Sequence, residues 1–156
     1  MGIIQSILSN KVLLTAALGW LAASVIKVII ILLKEKRLRV KLILSTGGMP
    51  SSHTAFVAAL TTGVGLVEGF STGEFALAVA FAIIVMVDAA GVRHAAGEHA
   101  KMLNQITELL ESVLERGEPL DQKKLKELLG HSKFEVLIGA LVGIVIALLF
   151  IQRRRY

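Results

Sequence analysis

The chain has 156 residues, of which 54% are hydrophobic, and its mean hydropathy of +0.72 excludes an ordinary soluble globular domain. The net charge of +5 favours contact with anionic lipid head groups over nucleic acid, because no basic stripe interleaved with aromatic residues occurs. The absence of cysteine excludes disulfides, thiolate catalysis and thiolate metal sites.

Four apolar segments predict an all-α integral membrane bundle of about four transmembrane helices. They cover residues 12–33, 54–69, 75–92 and 134–151, and the second is the shortest. The first segment is too long for a signal peptide and lacks a basic n-region, so we expect a retained helix. Because no internal repeat or low-complexity linker divides the chain, we expect one membrane domain over residues 1–156.

A helical excursion is predicted between the third and fourth segments, over residues 93–130. Its apolar residues recur at the spacing of an amphipathic helix: Met102, Leu103, Ile106, Leu109, Leu110, Val113 and Leu114. The run 116–119 ends this helix, and Asp121 can cap a short second one. The excursion could pack under the bundle, lie in the membrane interface or pair with another subunit.

The basic residues predict the orientation of the chain in a cell membrane. Five of them lie in residues 34–41 and seven in residues 93–133, whereas the turn over residues 70–74 has none. The positive-inside rule therefore places the two basic stretches, residues 34–41 and 93–133, on the cytoplasmic side. Four crossings then put both termini outside. The rule would place the basic tail over residues 153–155 inside, but its three charges are outweighed by the twelve charges of the two basic stretches.

The segment before the second apolar helix has the composition of a phosphate site. Its residues are Gly47, Gly48, Met49, Pro50, Ser51, Ser52 and His53. The glycines permit a backbone that other residues would strain, Pro50 suits the first helical turn, and either serine can cap the helix. The N–H groups of a helix start suit an anion, and a histidine there can move a proton near neutral pH. The alternative is a well-capped helix without a ligand.

The predicted topology brings several ionisable residues to one side of the membrane. The first helix ends, the second starts, the third ends and the fourth starts on that side, which we expect to be cytoplasmic. The residues gathered there are Lys27, His53, Asp88, Arg93, His131 and Glu135. Such a set has the parts for phosphoryl transfer, namely cations for the oxygens, a nucleophile and a proton donor.

Two motifs resemble those of the type 2 phosphatidic acid phosphatases, which are related to vanadium haloperoxidases. Residues 50–53, Pro-Ser-Ser-His, are similar to a Pro-Ser-Gly-His motif, and residues 131–143 are similar to a final motif in which an acid follows a histidine by four residues. Gly-Gly-Met-Pro-Ser-Ser-His-Thr-Ala and residues 88–93, Asp-Ala-Ala-Gly-Val-Arg, resemble the divergent branch of that superfamily. The resemblance covers most of the chain.

The resemblance implies a phosphatase that needs no metal or other cofactor and acts on a lipid phosphate. His131 would attack phosphorus, Glu135 would orient its imidazole and His53 would protonate the departing alkoxide. The residues implied in phosphate binding are Ser51, Ser52 and their backbone amides, with Lys27, Lys34 and Arg93, and those implied in supporting the site are Asp88, Gly47 and Gly48.

The chain departs from the family pattern in its cations and in its size. Leu125 stands where ordinary members have an arginine six residues before the final histidine, and Lys27 is followed seven residues later by Lys34 rather than by Arg-Pro. The phosphate cradle must then be built from Lys27, Lys34, Arg93 or the arginines at 37 and 39. Four helices instead of six also leave a thinner wall, which a homodimer could complete.

Each candidate residue has a simpler role available. Ser132 and Glu135 fit a capping box, a pattern repeated by Ser71 and Glu74, so Glu135 could serve only as a cap. Asp88 and Arg93 could simply pair with each other. His94, Glu98 and His99 match no zinc signature, and we expect them on different faces. The alternative function is a non-catalytic membrane protein that binds anionic lipids or scaffolds a partner.

Overall fold

The protein is all-helical in a computed structural model that describes residues 2–36, 48–113, 125 and 129–152. The helices are α1 (Ile3–Ser9), α2 (Lys11–Glu35), α3 (Ser52–Val67), α4 (Gly73–Ala90), α5 (Val92–Val113) and α6 (Lys133–Gln152). No strand occurs in these described ranges. The predicted all-α fold is confirmed, and the short α1 is an addition to it.

Three stretches of helix are long and apolar enough to cross a membrane. They are Lys11–Lys34, Gly73–Leu110 and Lys133–Ile151, while the apolar helix Ser52–Val67 is shorter. This shorter helix, α3, packs against α2, α4 and α6 and so forms the centre of the bundle. Many large apolar side chains of the outer helices are exposed, as expected for surfaces that face lipid.

Glycines allow the outer helices to approach α3 closely. A Cβ atom on Gly139 of α6 would lie 2.5 Å from the carbonyl oxygen of Ser51, and one on Gly19 of α2 would lie 2.8 Å from the Cβ of Ala59. The Gly-x-x-x-Gly pair of α6, formed with Gly143, therefore serves close packing. The contact of Gly139 with Ser51 also places the first turns of α3 and α6 at the same end of the bundle.

The helix starts correct two expectations. Ser51 is the N-cap of α3, so Pro50 precedes the cap and does not occupy the first helical turn. Thr72 is the N-cap of α4, and its hydroxyl accepts a hydrogen bond from the backbone N–H of Phe75, so Ser71 does not cap that helix. In both cases the capping oxygen accepts from the N–H three residues ahead, which fixes which residue becomes the cap.

The amphipathic helix α5 continues from α4 after a break at Gly91, where φ is −107° and ψ is −89°. The amide side chain of Asn104 donates to the carbonyl oxygen of Leu125 and accepts from its N–H, at 3.0 and 3.1 Å. This pair of bonds ties the chain after α5 back to that helix. The remainder of the predicted second short helix near Asp121, and the basic tail over residues 153–155, lie outside the described residues.

Candidate active site

The start of α3 forms the floor of the candidate site. Ser51 is buried, and its hydroxyl oxygen accepts from both the backbone N–H and the hydroxyl of Thr54, at 3.3 and 2.9 Å. Because a hydroxyl accepts at most two bonds, its own proton is what remains to be donated. The backbone N–H of Ser51 donates to the carbonyl oxygen of Glu135 at 3.1 Å. The Ser51 amide is therefore engaged, contrary to the expected contact with phosphate.

The turn before α6 is held against the junction of α4 and α5. Gly130 has φ of +80°, and a Cβ atom there would lie 2.6 Å from the Cα of His94, so only glycine fits. The backbone N–H of the next residue, His131, donates to the carbonyl oxygen of Ala89 at 2.9 Å. These contacts fix the position from which the imidazole of His131 enters the bundle.

His131 and Glu135 form the pair that the final motif predicts. Nδ1 of His131 lies 3.2 Å from Oε2 of Glu135, which also accepts from the backbone N–H of Ser132 at 3.1 Å. The hydroxyl of Ser132 accepts in return from the N–H of Glu135 at 3.2 Å. Glu135 thus completes a capping box and also contacts the imidazole, so the two roles considered for it are compatible.

The second ring nitrogen of His131, Nε2, is able to accept a hydrogen bond. The side chain is 3% exposed, and Nε2 is buried without a hydrogen-bond partner among the described residues. A neutral imidazole that donates from Nδ1 to a carboxylate carries its lone pair on Nε2. Burial lowers the pKa of His131 below its ordinary value, although the hydrogen bond and the charge of Glu135 oppose this shift. The neutral, nucleophilic form is therefore favoured.

Lys27 supplies a cation beside this pair. Its side chain is fully buried, and it lies within electrostatic range of both Glu135 and His131. The stem of Lys27 runs along Gly48, since a Cβ atom on that glycine would lie 3.7 Å from the Cδ atom. Gly48 has φ of +87°, which agrees with the left-handed turn expected of a glycine there. A buried lysine inside a membrane helix is typical of a functional position.

A second group of ionisable side chains lies at the exposed edge of the site. His53 follows the buried Ser52 in the first turn of α3 and is exposed, and it interacts electrostatically with Lys27, Asp88 and Arg93. Nε of Arg93 donates to Oδ2 of Asp88 at 2.6 Å across the α4–α5 break. His53 and His131 are also close enough to interact electrostatically. The structure therefore brings both histidines to one region.

One residue expected in the site, Lys34, is not brought to it. Lys34 is exposed on α2, seven residues after Lys27 and therefore about 10 Å further along the helix axis. Gly47 lies outside the described residues, as do the arginines at 37 and 39. Of the cations expected to bind phosphate, Lys27 and Arg93 are the ones that the described structure places near His53.

A small cavity reveals two residues that the sequence argument set aside. It has a volume of about 190 Å³ and is lined by Gly48, His94, Gly97, Glu98, Leu129, Gly130, Ser132 and Glu135. His94, Glu98 and His99 were expected to lie on different faces of the helix. Because His94 and Glu98 are four residues apart on α5, these two instead share one face. Their i, i+4 spacing was the available signal. The described residues contain no group of three or more potential metal ligands.

Comparison with known proteins identifies the family. The Uncharacterized membrane protein YuiD of Bacillus subtilis (strain 168) is 43% identical over 151 residues, which span 92% of this chain and 96% of that protein. No solved structure matches the chain. Residues 8–146 match the Divergent PAP2 family. The chain therefore belongs to the Divergent PAP2 family, as the motifs around His53 and His131 indicate.

Proposed function

We propose that the protein hydrolyses a phosphomonoester or diphosphate of a membrane lipid through a phosphohistidine on His131. One observation carries this proposal: the imidazole is oriented by Glu135 through Nδ1, while Nε2 is buried and has no partner in the described part of the chain. A neutral imidazole held in this way is a competent nucleophile, because its lone pair is directed away from the carboxylate. Membership of a phosphatase-related family supports the same chemistry.

In the first step Nε2 attacks the terminal phosphorus, and the bond from phosphorus to the leaving oxygen breaks; that oxygen is the lipid oxygen of a phosphomonoester or the bridging oxygen of a diphosphate. The electron pair leaves with that oxygen, which takes a proton from His53. The imidazole of His131 becomes cationic as the new bond forms, and the carboxylate of Glu135 stabilises this charge. In the second step water attacks phosphorus, the P–N bond breaks, and its electron pair returns to Nε2. One proton of that water passes to His53, which restores the acid.

The phosphate oxygens require cations and donors in the same place. Lys27 is buried beside Glu135, and Ser51 has a hydroxyl proton left to donate. Arg93 uses Nε to bind Asp88, so the terminal nitrogens of its guanidinium group are not part of that bond. We propose that these three side chains, together with Ser52, hold the phosphate. The three buried members of this set, Lys27, Ser51 and Ser52, would act in a low dielectric, where each interaction is stronger.

We further propose that the protein resides in the cell membrane with this site on the cytoplasmic side. The support is the distribution of basic residues, twelve of which fall in the two segments that flank the site. A lipid substrate would enter from the surrounding leaflet, with its phosphate at the level of Lys27.

Binding without catalysis is the second candidate function, and particular observations favour it. Arg93 is already paired with Asp88, Leu125 replaces the arginine of ordinary family members, and Nε2 of His131 is shielded from water. A protein that held anionic lipids at Lys27 would need no open path to Nε2. The two functions therefore differ in whether phosphate can reach that atom.

Phosphate release by the purified full chain, measured over a panel of lipid phosphates and lipid diphosphates, tests the proposal. We expect turnover of at least one substrate, loss of turnover in His131→Ala, and an acid-labile phosphoryl group that mass spectrometry assigns to residue 131. Hydrolysis that persists in His131→Ala would overturn the mechanism. Inactivity of the native chain over the whole panel, combined with saturable binding of the same lipids, would favour the binding function.

A further inference from the structure

An apolar groove runs along the outer surface of the bundle between α2 and α6. Its volume is about 510 Å³, and hydrocarbon side chains line both walls, among them Leu18, Ala22 and Ile26 of α2 with Ile146 and Phe150 of α6. We call it the α2–α6 groove. Sites for small molecules in proteins usually have volumes of about 300–1,000 Å³ and predominantly apolar walls. The groove therefore has the size and the lining of a ligand site.

The groove lies at a depth in the membrane where hydrocarbon is the solvent. The membrane-crossing stretch of α2 is Lys11–Lys34, and its midpoint falls between residues 22 and 23. The α2 wall of the groove, which extends from Leu18 to Ile26, is centred on this point. Because the middle of a bilayer contains no water, the ligand chemistry available at this depth is a hydrocarbon chain.

Both walls of the groove lead to the candidate site. On α2, Ile26 lines the groove and the next residue is the buried Lys27. On α6, the groove residues Ile146 and Leu149 lie on the same face as Glu135, because positions 135, 138, 142, 146 and 149 follow one another in steps of three or four residues. The two helices also pack against each other. A lipid with its phosphate at Lys27 would thus have the groove beside its chain.

The length of the groove suits a long chain. Leu18 precedes Lys27 by nine residues of α2, which is about 13.5 Å along the helix axis. On α6 the wall begins at Ile146, eleven residues after Glu135, which is about 16 Å further along that helix. A chain attached to a phosphate in the site must extend over these distances to fill the groove. A short chain would end before it reached Ile146.

We infer that the α2–α6 groove binds the hydrocarbon chain of the lipid whose phosphate the candidate site holds, and that the protein therefore selects long-chain lipids. This inference rests on the proposed function in taking a lipid phosphate as the ligand, whether that ligand is hydrolysed or only bound. A chain gains no hydrophobic free energy on moving from the bilayer into the groove, because lipid tails are as apolar as the groove residues. The groove contributes through packing, which orients the lipid and keeps its phosphate beside Nε2 of His131.

Photo-crosslinking of the full chain in lipid nanodiscs tests the groove without requiring turnover. The probe is a long-chain phosphatidate with a diazirine at the end of one acyl chain, and mass spectrometry locates the labelled residues. We expect label on the groove residues of α2 and α6 that unlabelled phosphatidate displaces. Diacylglycerol, which has the same chains but no phosphate, should displace it much less. Label that phosphatidate does not displace, or that diacylglycerol displaces equally well, would mark ordinary surrounding lipid and overturn the inference.

Two substitutions that fill the groove from opposite walls provide the variants, Ala22→Trp on α2 and Ile146→Trp on α6. Ile84→Trp is the matched control, because Ile84 is 67% exposed near the middle of α4 and lies outside the groove. Each groove variant should lower the displaceable label at least about fivefold, since a filled groove has no room for the chain, and Ile84→Trp should change it less than about twofold. Undiminished label in a folded groove variant would contradict the assignment.

Turnover distinguishes the groove from the mechanism. Ala22→Trp should lower kcat/KM for long-chain phosphatidate at least about fivefold and leave kcat/KM for short-chain phosphatidate within about twofold of the native value. Equal values for the long-chain substrate in Ala22→Trp and the native chain would overturn the groove assignment and leave His131 as the nucleophile. Displaceable label in a native chain that hydrolyses neither substrate would support the groove and count against the phosphohistidine mechanism.

Discussion

Replacing Glu135 by glutamine removes one charge from the candidate site and changes little else. The glutamine side chain has the same length, and its carbonyl oxygen can still accept from the backbone N–H of Ser132. What is lost is the negative charge 3.2 Å from Nδ1 of His131. That charge matters most when phosphorus bonds to Nε2 and the imidazole becomes cationic. We therefore expect Glu135→Gln to slow formation of the phosphohistidine while the protein remains folded.

The magnitude follows from the geometry of the pair. Unit charges 3.2 Å apart interact by about 5 kcal/mol at an effective dielectric constant near 20. The Glu135 side chain is 25% exposed, so solvent screens part of this interaction, and we expect about 2–4 kcal/mol of it to remain. Since about 1.36 kcal/mol corresponds to a factor of ten in rate, kcat should fall about 30- to 1000-fold.

Single-turnover phosphate release from a lipid phosphate in mixed micelles is the assay, with thermal unfolding measured in parallel. Ser132→Ala is the matched control, because it breaks the other bond of the capping box and leaves the carboxylate beside the imidazole. It should cost about 1 kcal/mol of stability and alter the rate little. If Glu135→Gln reacts as fast as Ser132→Ala, Glu135 only caps α6 and the assignment of its charge to catalysis is wrong.

Three further predictions concern pH, packing and charge. Burial lowers the pKa of His131, so protonation of this imidazole favours the unfolded state. In urea unfolding, the free energy of unfolding of the native chain should therefore fall more steeply below about pH 6.5 than that of His131→Gln. Equal dependence of the two unfolding free energies on pH would refute this. Gly139→Ala should lower unfolding free energy by about 1–3 kcal/mol through its clash with α3, whereas Gly73→Ala, with nothing within 4 Å, should change it by less than about 0.5 kcal/mol. Lys27→Met should weaken vanadate binding at least about tenfold in calorimetry, and Lys34→Met less than about twofold; loss of folding in Lys27→Met would instead mark a structural ion pair.

The fold could be predicted from the sequence because apolar length and helix-capping residues are local signals. Each of the four apolar segments became a helix within a few residues of its predicted bounds, and α5 is amphipathic as its periodicity indicates. The starts were less accurate, since several hydroxyl residues stand side by side before α3 and α4. Only the hydrogen bond to the N–H three residues ahead decides between them, and that depends on the backbone geometry of the turn.

The site was harder to predict because sequence spacing reports faces of one helix and not contacts between helices. His131 and Glu135 are four residues apart, so their pairing followed from local geometry. The engagement of the Ser51 amide by the carbonyl of Glu135 joins two distant segments, and no local pattern signals it. The cavity that joins Glu98 to Glu135 likewise depends on how α5 leaves α4 at Gly91.

The described residues divide the candidate site into a buried half and an exposed half, and the proposed chemistry needs both. Lys27 and His131 are shielded from water, where a cation and a nucleophile act on phosphate most strongly. His53, in contrast, is exposed at the edge of the site. A group that gives up a proton in one step and regains it in the next benefits from contact with water, whereas the attacking nitrogen benefits from its exclusion. The position of each histidine therefore suits the step assigned to it.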